Sequence, residues 1–275
     1  MKPVNFEYAR PADLAAAAAI AAREDAVVKF IAGGQSLGPM LNLRLVQPDV
    51  IVDITAIEEL RRVEEKSAAL FIGACITHAD IEDGRVPDVT GGAMRSVAAG
   101  IAYRAVRNRG TIGGSLVHAD PSADWISALA ALGASVVLRR GKQDRRLPAE
   151  KLMTGVFECD LEPGEILTGI EVPRLSANAR WGYYKHCRKT GELAHAIGAY
   201  LYDPDRGVHR AVIGATGSRP IVFDDAAALF HGKAGGEVDR PVAERKMTDS
   251  GMDDPIEQQI HFVCLRRAVE LAGRT

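Results

Sequence analysis

Two short segments of this 275-residue chain carry residue types suited to holding a phosphorylated ligand. The first, Ala32-Gly33-Gly34-Gln35-Ser36-Leu37, closes the apolar run 26–32. The second, Thr111-Ile112-Gly113-Gly114-Ser115, opens the stretch "TIGGSLVHADPSAD" (111–124). Adjacent glycines free the backbone to take positive φ and let a ligand approach closely. Successive N–H groups in such a bend form a concave anion site. Ser36 and Ser115 can add hydroxyl donors to the same oxygens. Two such bends can hold both phosphates of a pyrophosphate without a lysine. A Cβ at Gly33 or Gly114 is then expected to take space that phosphate oxygens need. Either segment alone reads as a tight turn required for packing. The pair, each before a helix-prone stretch, points to binding.

Other nucleotide and metal signatures are missing. No G-x-G-x-x-G follows the first strand-like segment, and no G-x-x-x-x-G-K-[ST] occurs. No H-E-x-x-H or paired cysteine–histidine cluster indicates a metal, so none is expected. Cys75, Cys159, Cys187 and Cys264 are far apart in sequence and form no C-x-x-C pair. They read as small buried hydrophobes in a reducing cytoplasm. Of the seven histidines, only His118, inside the second segment, is placed to touch a ligand there.

Composition narrows the function classes. A net charge of −2 supplies no field to recruit nucleic acid or an anionic membrane. At 5% aromatic residues, base-stacking platforms are disfavoured. The alanine-rich run after Asp13 is interrupted by Arg23, Glu24 and Asp25. It reads as a helix, not a signal peptide, and no window is apolar enough to span a bilayer.

The elements that must position these segments alternate irregularly. A helix from Pro11 and Asp13 to about Arg23 precedes a strand at 26–32. Strands follow at 50–55 and 68–74, then helices begun by Thr77 and ended by Gly100. Pro121 and Ser122 are expected to open a helix that Gly133 closes, followed by strands in "ASVVLRR" and "EILTGIEVP". This is not a regular βαβ alternation, so the fold class expected is α+β. Pro173 and "RLSANARWG" mark a boundary. Beyond it, three strand-like segments, with a hairpin at "DPDRG", and helices at "IVFDDAAALFHG" and "PIEQQIHFVCLRRAVELAG" suggest a smaller domain with an antiparallel sheet. The stretch 232–254 reads as a mobile polar connection.

Together, "AGGQSL" and "TIGGSLVHADPSAD" resemble the FAD-binding (medium) subunit of molybdenum hydroxylases, in the carbon monoxide dehydrogenase and xanthine dehydrogenase superfamily. The likeness covers nearly the whole chain, including "FEYARPADLAAA" and "GEILTGIEVP". It implies a vanillyl-alcohol-oxidase-like (PCMH-type) FAD fold: residues 1–175 as two subdomains, about 1–58 and 59–175, and 176–275 as a C-terminal flavoprotein domain with an antiparallel sheet. It places Ala32, Gly33, Gly34, Gln35, Ser36 and Leu37 on the first pyrophosphate loop, and Thr111, Gly114 and Ser115 on the second. Asp124 matches a carboxylate that reaches FAD. Ile101 and Leu167 match apolar flavin neighbours. Lys185 matches a lysine near the pyrimidine edge of the flavin, where positive charge stabilises the reduced form. Lys189 and Glu192 depart from the family's arginine and aspartate, and the last helix lacks its usual tyrosine–arginine pair.

The resemblance implies an oxidoreductase subunit that passes electrons from the [2Fe–2S] clusters of a small subunit through FAD to an external acceptor, such as NAD, quinone, cytochrome or oxygen. A large molybdopterin subunit would hydroxylate the substrate. No residue of this chain is then expected to act on that substrate, which fits the lack of a triad or carboxylate pair. Two other readings stand beside it: a free-standing flavin oxidase or reductase of the same fold, and a non-catalytic module whose glycines are only turns.

Overall fold

The computed structural model describes residues 2–231 and 234–274. Its first sheet is small and parallel. Strand β1 (Glu7–Ala9) leads to helix α1 (Leu14–Ala21), where Asp13 accepts from the Ala16 N–H as N-cap. Strand β2 (Val28–Ile31), helix α2 (Leu37–Asn42) and strand β3 (Val50–Asp53) follow. β3 lies between β1 and β2, both parallel to it. Val50, Ile51 and Val52 are buried, the unbroken apolar run expected of a parallel strand covered on both faces.

A five-stranded antiparallel sheet comes next. Strands β4 (Val63–Glu65) and β5 (Ala69–Gly73) precede five helices. These are α3 (His78–Glu82), α4 (Ala93–Gly100), α5 (Arg104–Arg107), α6 (Ile112–His118) and α7 (Asp124–Leu132). Strands β6 (Ser135–Arg140), β7 (Gln143–Pro148) and, after helix α8 (Ala149–Leu152) and a separate two-stranded sheet of β8 (Met153–Gly155) and β9 (Glu158–Cys159), strand β10 (Ile166–Pro173) complete it. The order is β4-β5-β10-β6-β7, so the chain's late strand β10 sits at the centre. Thr77 opens α3 through a capping box with Asp80, and Gly133 ends α7 at φ +68°.

The last sheet is an antiparallel meander: β11 (Arg180–His186), β12 (Ala196–Asp203), β13 (Val208–Gly214) and β14 (Ile221–Phe223). Helices α9 (Arg240–Asp249) and α10 (Pro255–Ala272) follow. α10 packs so closely that a Cβ on Gly182 would lie 1.8 Å from the Ala268 carbonyl oxygen. On the opposite face a Cβ on Gly214 would meet the Ser127 hydroxyl of α7 at 1.8 Å. The sheet is therefore clamped between α10 and α7.

The fold is α+β, as expected, with several local corrections. The second glycine segment is not an open loop. Thr111 is the N-cap of α6, and Gly113 and Gly114 lie in its first turn. α7 begins at Asp124, not at Pro121. "IVFDDAAALFHG" is not a helix, because Ile221–Phe223 pair with β13 and only 226–229 form a 3₁₀ turn. In the connection read over 232–254, Gly232 and Lys233 lie outside the described residues, and α9 occupies much of the rest.

Candidate functional site

The two glycine segments meet in space. Gly33 lies against the turn that enters α6, and a Cβ there would sit 2.0 Å from the Arg109 carbonyl oxygen and 2.8 Å from the Gly110 Cα. One on Gly114 would lie 2.8 Å from Thr111 Oγ1 and 3.9 Å from the Ala32 Cβ. The expectation that Cβ atoms here would displace phosphate oxygens is corrected at both positions. Gly33 lets the two segments touch, and Gly114 makes room for the capping hydroxyl of Thr111.

The segments differ in what they offer an anion. In the first, the N–H groups of Gly33, Gly34, Gln35 and Ser36 donate to no acceptor in the described chain. Gly34 takes φ +71°, and Gln35 holds the bend by donating from Nε2 to the Gly33 carbonyl at 3.0 Å. In the second, the N–H groups of Ile112, Gly113, Gly114 and Ser115 are all used, by Ile76 O, Ala74 O, Thr111 Oγ1 and Thr111 O. That segment can offer the Ser115 hydroxyl but no open row of amides. Residues 34–38 also spell Gly-x-Ser-x-Gly, the spacing of a nucleophilic serine. Ser36 makes no side-chain hydrogen bond to any described histidine or carboxylate, so it lacks the base that role requires.

A buttress stands behind the second segment. His78 is buried, its N–H donates to Gly110 O at 2.9 Å, and its ring packs on the Gly110 Cα. Trp125 of α7 donates from Nε1 to His78 Nδ1 at 3.0 Å. Burial, with the nearby Arg107 charge, pushes the imidazole down to about 4. It is therefore neutral at pH 7, with its proton on Nε2.

A second group gathers around α7's first residue. Asp124 is buried and accepts from Tyr183 Oη at 2.8 Å and from Lys185 Nζ at 3.0 Å. Lys185 also donates to the Gly100 carbonyl at 2.8 Å. Burial pushes the Asp124 carboxyl above the usual range, against the pull of Lys185 and Tyr183. Burial, then the facing carboxylate, pushes the Tyr183 phenol well up, so it remains a donor. Ile101 caps α4 beside Gly100. Leu167 is a core residue of β10, 3% exposed. β10 reaches the second segment through Thr168, whose carbonyl accepts from the Ala74 N–H, while Ala74 O accepts from Gly113.

Tyr183, Arg107, His78 and Trp125 carry this geometry and were not singled out in the sequence. Tyr183 had a signal: in a strand, residues i and i+2 share a face, so it lies beside Lys185. His118, in contrast, turns its ring toward Phe157, with centroids 5.0 Å apart.

A flavin dinucleotide needs a pyrophosphate cradle and a polar wall for its ring system. Four open amides with two serine hydroxyls fit the first requirement, and the Asp124–Lys185 pair fits the second. Comparison with known proteins agrees. Residues 4–175 match the model of the FAD binding domain in molybdopterin dehydrogenase. The chain is 34% identical over 227 residues to the caffeine dehydrogenase subunit beta of Pseudomonas sp. (strain CBB1), covering 81% of this chain and 77% of that one. It is 31% identical to the carbon monoxide dehydrogenase medium chain of Afipia carboxidovorans, over 99% of this chain and 98% of the relative. The solved carbon monoxide dehydrogenase of Hydrogenophaga pseudoflava superposes with a TM-score of 0.87 at 29% identity, covering 100% of this chain and 99% of that chain. The chain thus belongs to the FAD-binding medium subunits of the molybdenum hydroxylase family, with FAD as its cofactor.

Proposed function

We propose that this chain is the electron-transfer subunit of a molybdenum-containing dehydrogenase. It would take electrons from [2Fe–2S] clusters of a small subunit, beside a large molybdopterin subunit, and deliver them to an external acceptor. The observation that carries the site is the contact between two glycine segments about 80 residues apart in sequence, one with four open amides. In this reading residues 1–175 form the FAD-binding unit, divided near residue 58, and 176–275 form the flavoprotein domain. The sheet boundaries near 53, 63, 173 and 180 support that division. The four free cysteines suit a reducing cytoplasm.

FAD, when bound, supplies both one-electron and two-electron chemistry on a single ring system. The chain's task is to hold and tune it. The amides of Gly33 to Ser36, with the Ser36 and Ser115 hydroxyls, would bind the pyrophosphate, flanked by Ala32, Leu37, Thr111 and Gly114. Lys185, oriented by Asp124 and Gly100, would place positive charge where electron density rises on reduction, between the apolar neighbours Ile101 and Leu167. No side chain here has to move a substrate proton.

The test is reconstitution and co-purification. The full chain is expected to bind one FAD and to travel with subunits bearing Fe–S and molybdenum signals. Its flavin should be reduced by substrate only when both partners are present. A colourless chain that cannot be reconstituted would overturn the FAD site. Flavin reduced by a substrate of its own, without partners, would overturn the electron-transfer role.

A further inference from the structure

Between α4 and α5 the chain turns at Gly100, Ile101, Ala102 and Tyr103. Ile101 is at φ −79°, ψ 120°, and Ala102 at φ +43°. Extended Ile101 followed by positive φ at Ala102 follows the φ pattern of a type II turn, with alanine at the position where glycine is usual. Such a turn is ordinarily closed by the fourth N–H donating to the first carbonyl. Here that bond is not made, and Gly100 O accepts from Lys185 Nζ instead.

The next two carbonyls are also held by a cation. Arg107 Nη1 donates to Ile101 O at 2.9 Å and to Ala102 O at 3.0 Å. Arg107 is itself fixed, through Nε and Nη2, by a two-point bond to Glu82, each contact 2.8 Å. Peptide groups are planar and trans, and no cis bond occurs among the described residues. When both carbonyls face Arg107, the N–H groups of Ala102 and Tyr103 must face away from it. Neither N–H has an acceptor in the described chain. α5 then rises only about 6 Å over its four residues before the chain reaches Arg109, where the two glycine segments meet.

We propose that the Ala102 and Tyr103 N–H groups form a two-donor site for acceptor atoms on the flavin ring, and that Arg107, locked by Glu82, is the residue that positions them. This rests on the FAD reading above. Flavin carbonyl oxygens and ring nitrogens gain negative charge on reduction. Donors fixed before that charge arrives stabilise it without reorganising. The local strain at Ala102 is of the kind found where a backbone group must be aimed.

Residue-resolved hydrogen exchange on the full chain, with and without FAD, separates the possibilities. Binding should slow the Ala102 and Tyr103 amides at least tenfold, together with those of Gly33 to Ser36. The Ile101 amide, already bonded to Ala98 O, should change little. If the glycine amides slow and the other two do not, this proposal falls and the FAD site stands. If flavin binds and the glycine amides do not slow, both fall. Arg107→Met should keep FAD, lose the protection at 102 and 103, and favour oxidised over reduced flavin by about tenfold, roughly 30 mV for a two-electron couple. Arg107→Lys should recover little of it, since lysine lacks the fork. Should Arg107→Met not fold, Glu82→Gln should shift the potential in the same direction by a smaller amount. An unshifted potential with protection retained in a folded variant would reject the positioning role.

Discussion

At the scale of single residues, the Asp124–Lys185 pair would, in the proposed site, decide how charge is presented to the flavin. The ammonium is not a lone cation, since a buried carboxylate faces it at 3.0 Å. Removing either partner should therefore move the flavin potential in opposite directions. Lys185→Met leaves a carboxyl group without its counter-charge and should lower the potential. Asp124→Asn leaves an ammonium without its carboxylate and should raise it, at a stability cost of about 3 kcal/mol for breaking a buried pair. Redox titration of both variants with FAD bound checks the signs. Shifts in the same direction would show that electrostatics is not how the pair acts. The family resemblance singled out Asp124 and Lys185 separately, but nothing in the sequence pointed to their pairing. As isolated residues they read as an early-helix aspartate and a solvated lysine. Tyr183 was open to a period-two argument along β11. Arg107 was not legible, because its partners Ile101 O, Ala102 O and Glu82 are set by how α3, α4 and α5 pack, which no local pattern encodes.

At the scale of elements, α6 and its buttress show tertiary contact overriding local preference. Two glycines in one helical turn cost roughly 1 kcal/mol each relative to alanine, so "TIGG" reads as a loop. The helix forms there because a Cβ on Gly113 would lie 2.5 Å from the Ala74 Cβ, so only glycine admits that approach. The opposite error occurred at "IVFDDAAALFHG", where an alanine run suggests helix but Phe223 and Ile221 are buried against β13. The His78–Trp125 bond that supports the entry to α6 gives a pH-dependent signature. His78 titrates near 4 when folded and near 6.5 when unfolded. Its contribution is complete above pH 6.5. It declines as pH falls toward 4, since only the unfolded chain then takes up the proton. The loss should be about 3 kcal/mol, from about 1.4 kcal/mol per pH unit. Measured by denaturant unfolding, the stability difference between wild type and His78→Asn should be flat above pH 6.5 and shrink below it. A difference that does not vary with pH would mean that the imidazole is not held neutral.

At the scale of the whole molecule, α7 joins the parts. All nine of its residues are buried. Trp125 reaches back to His78 behind the glycine segments, Asp124 reaches forward to Tyr183 and Lys185 on β11, and Ser127 lies under Gly214 of β13. An α+β class was readable from strand and helix signals. The central place of β10 was not, because its pairing with β5 spans about 100 residues and depends on a global arrangement. Beside the Asp124–Lys185 pair, a further ion pair crosses between the five-stranded and four-stranded regions. Arg210 of β13 donates to Glu150 of α8 at 2.9 Å, both side chains being less than a fifth exposed. The pair is only half satisfied: Arg210 Nε and Glu150 Oε2 are buried without a partner. Arg210 also meets Asp224 at 3.0 Å, but Asp224 is 80% exposed and water can replace that contact. A buried pair with orphaned atoms gives back little of its desolvation cost, whereas removing one member strands a buried charge. Arg210→Met and Glu150→Met should each destabilise the chain by about 3 kcal/mol. The double variant should unfold at a higher denaturant concentration than either single variant, a coupling that a double-mutant cycle reads directly. Additive losses would instead mean that the two side chains stabilise the interface independently of each other.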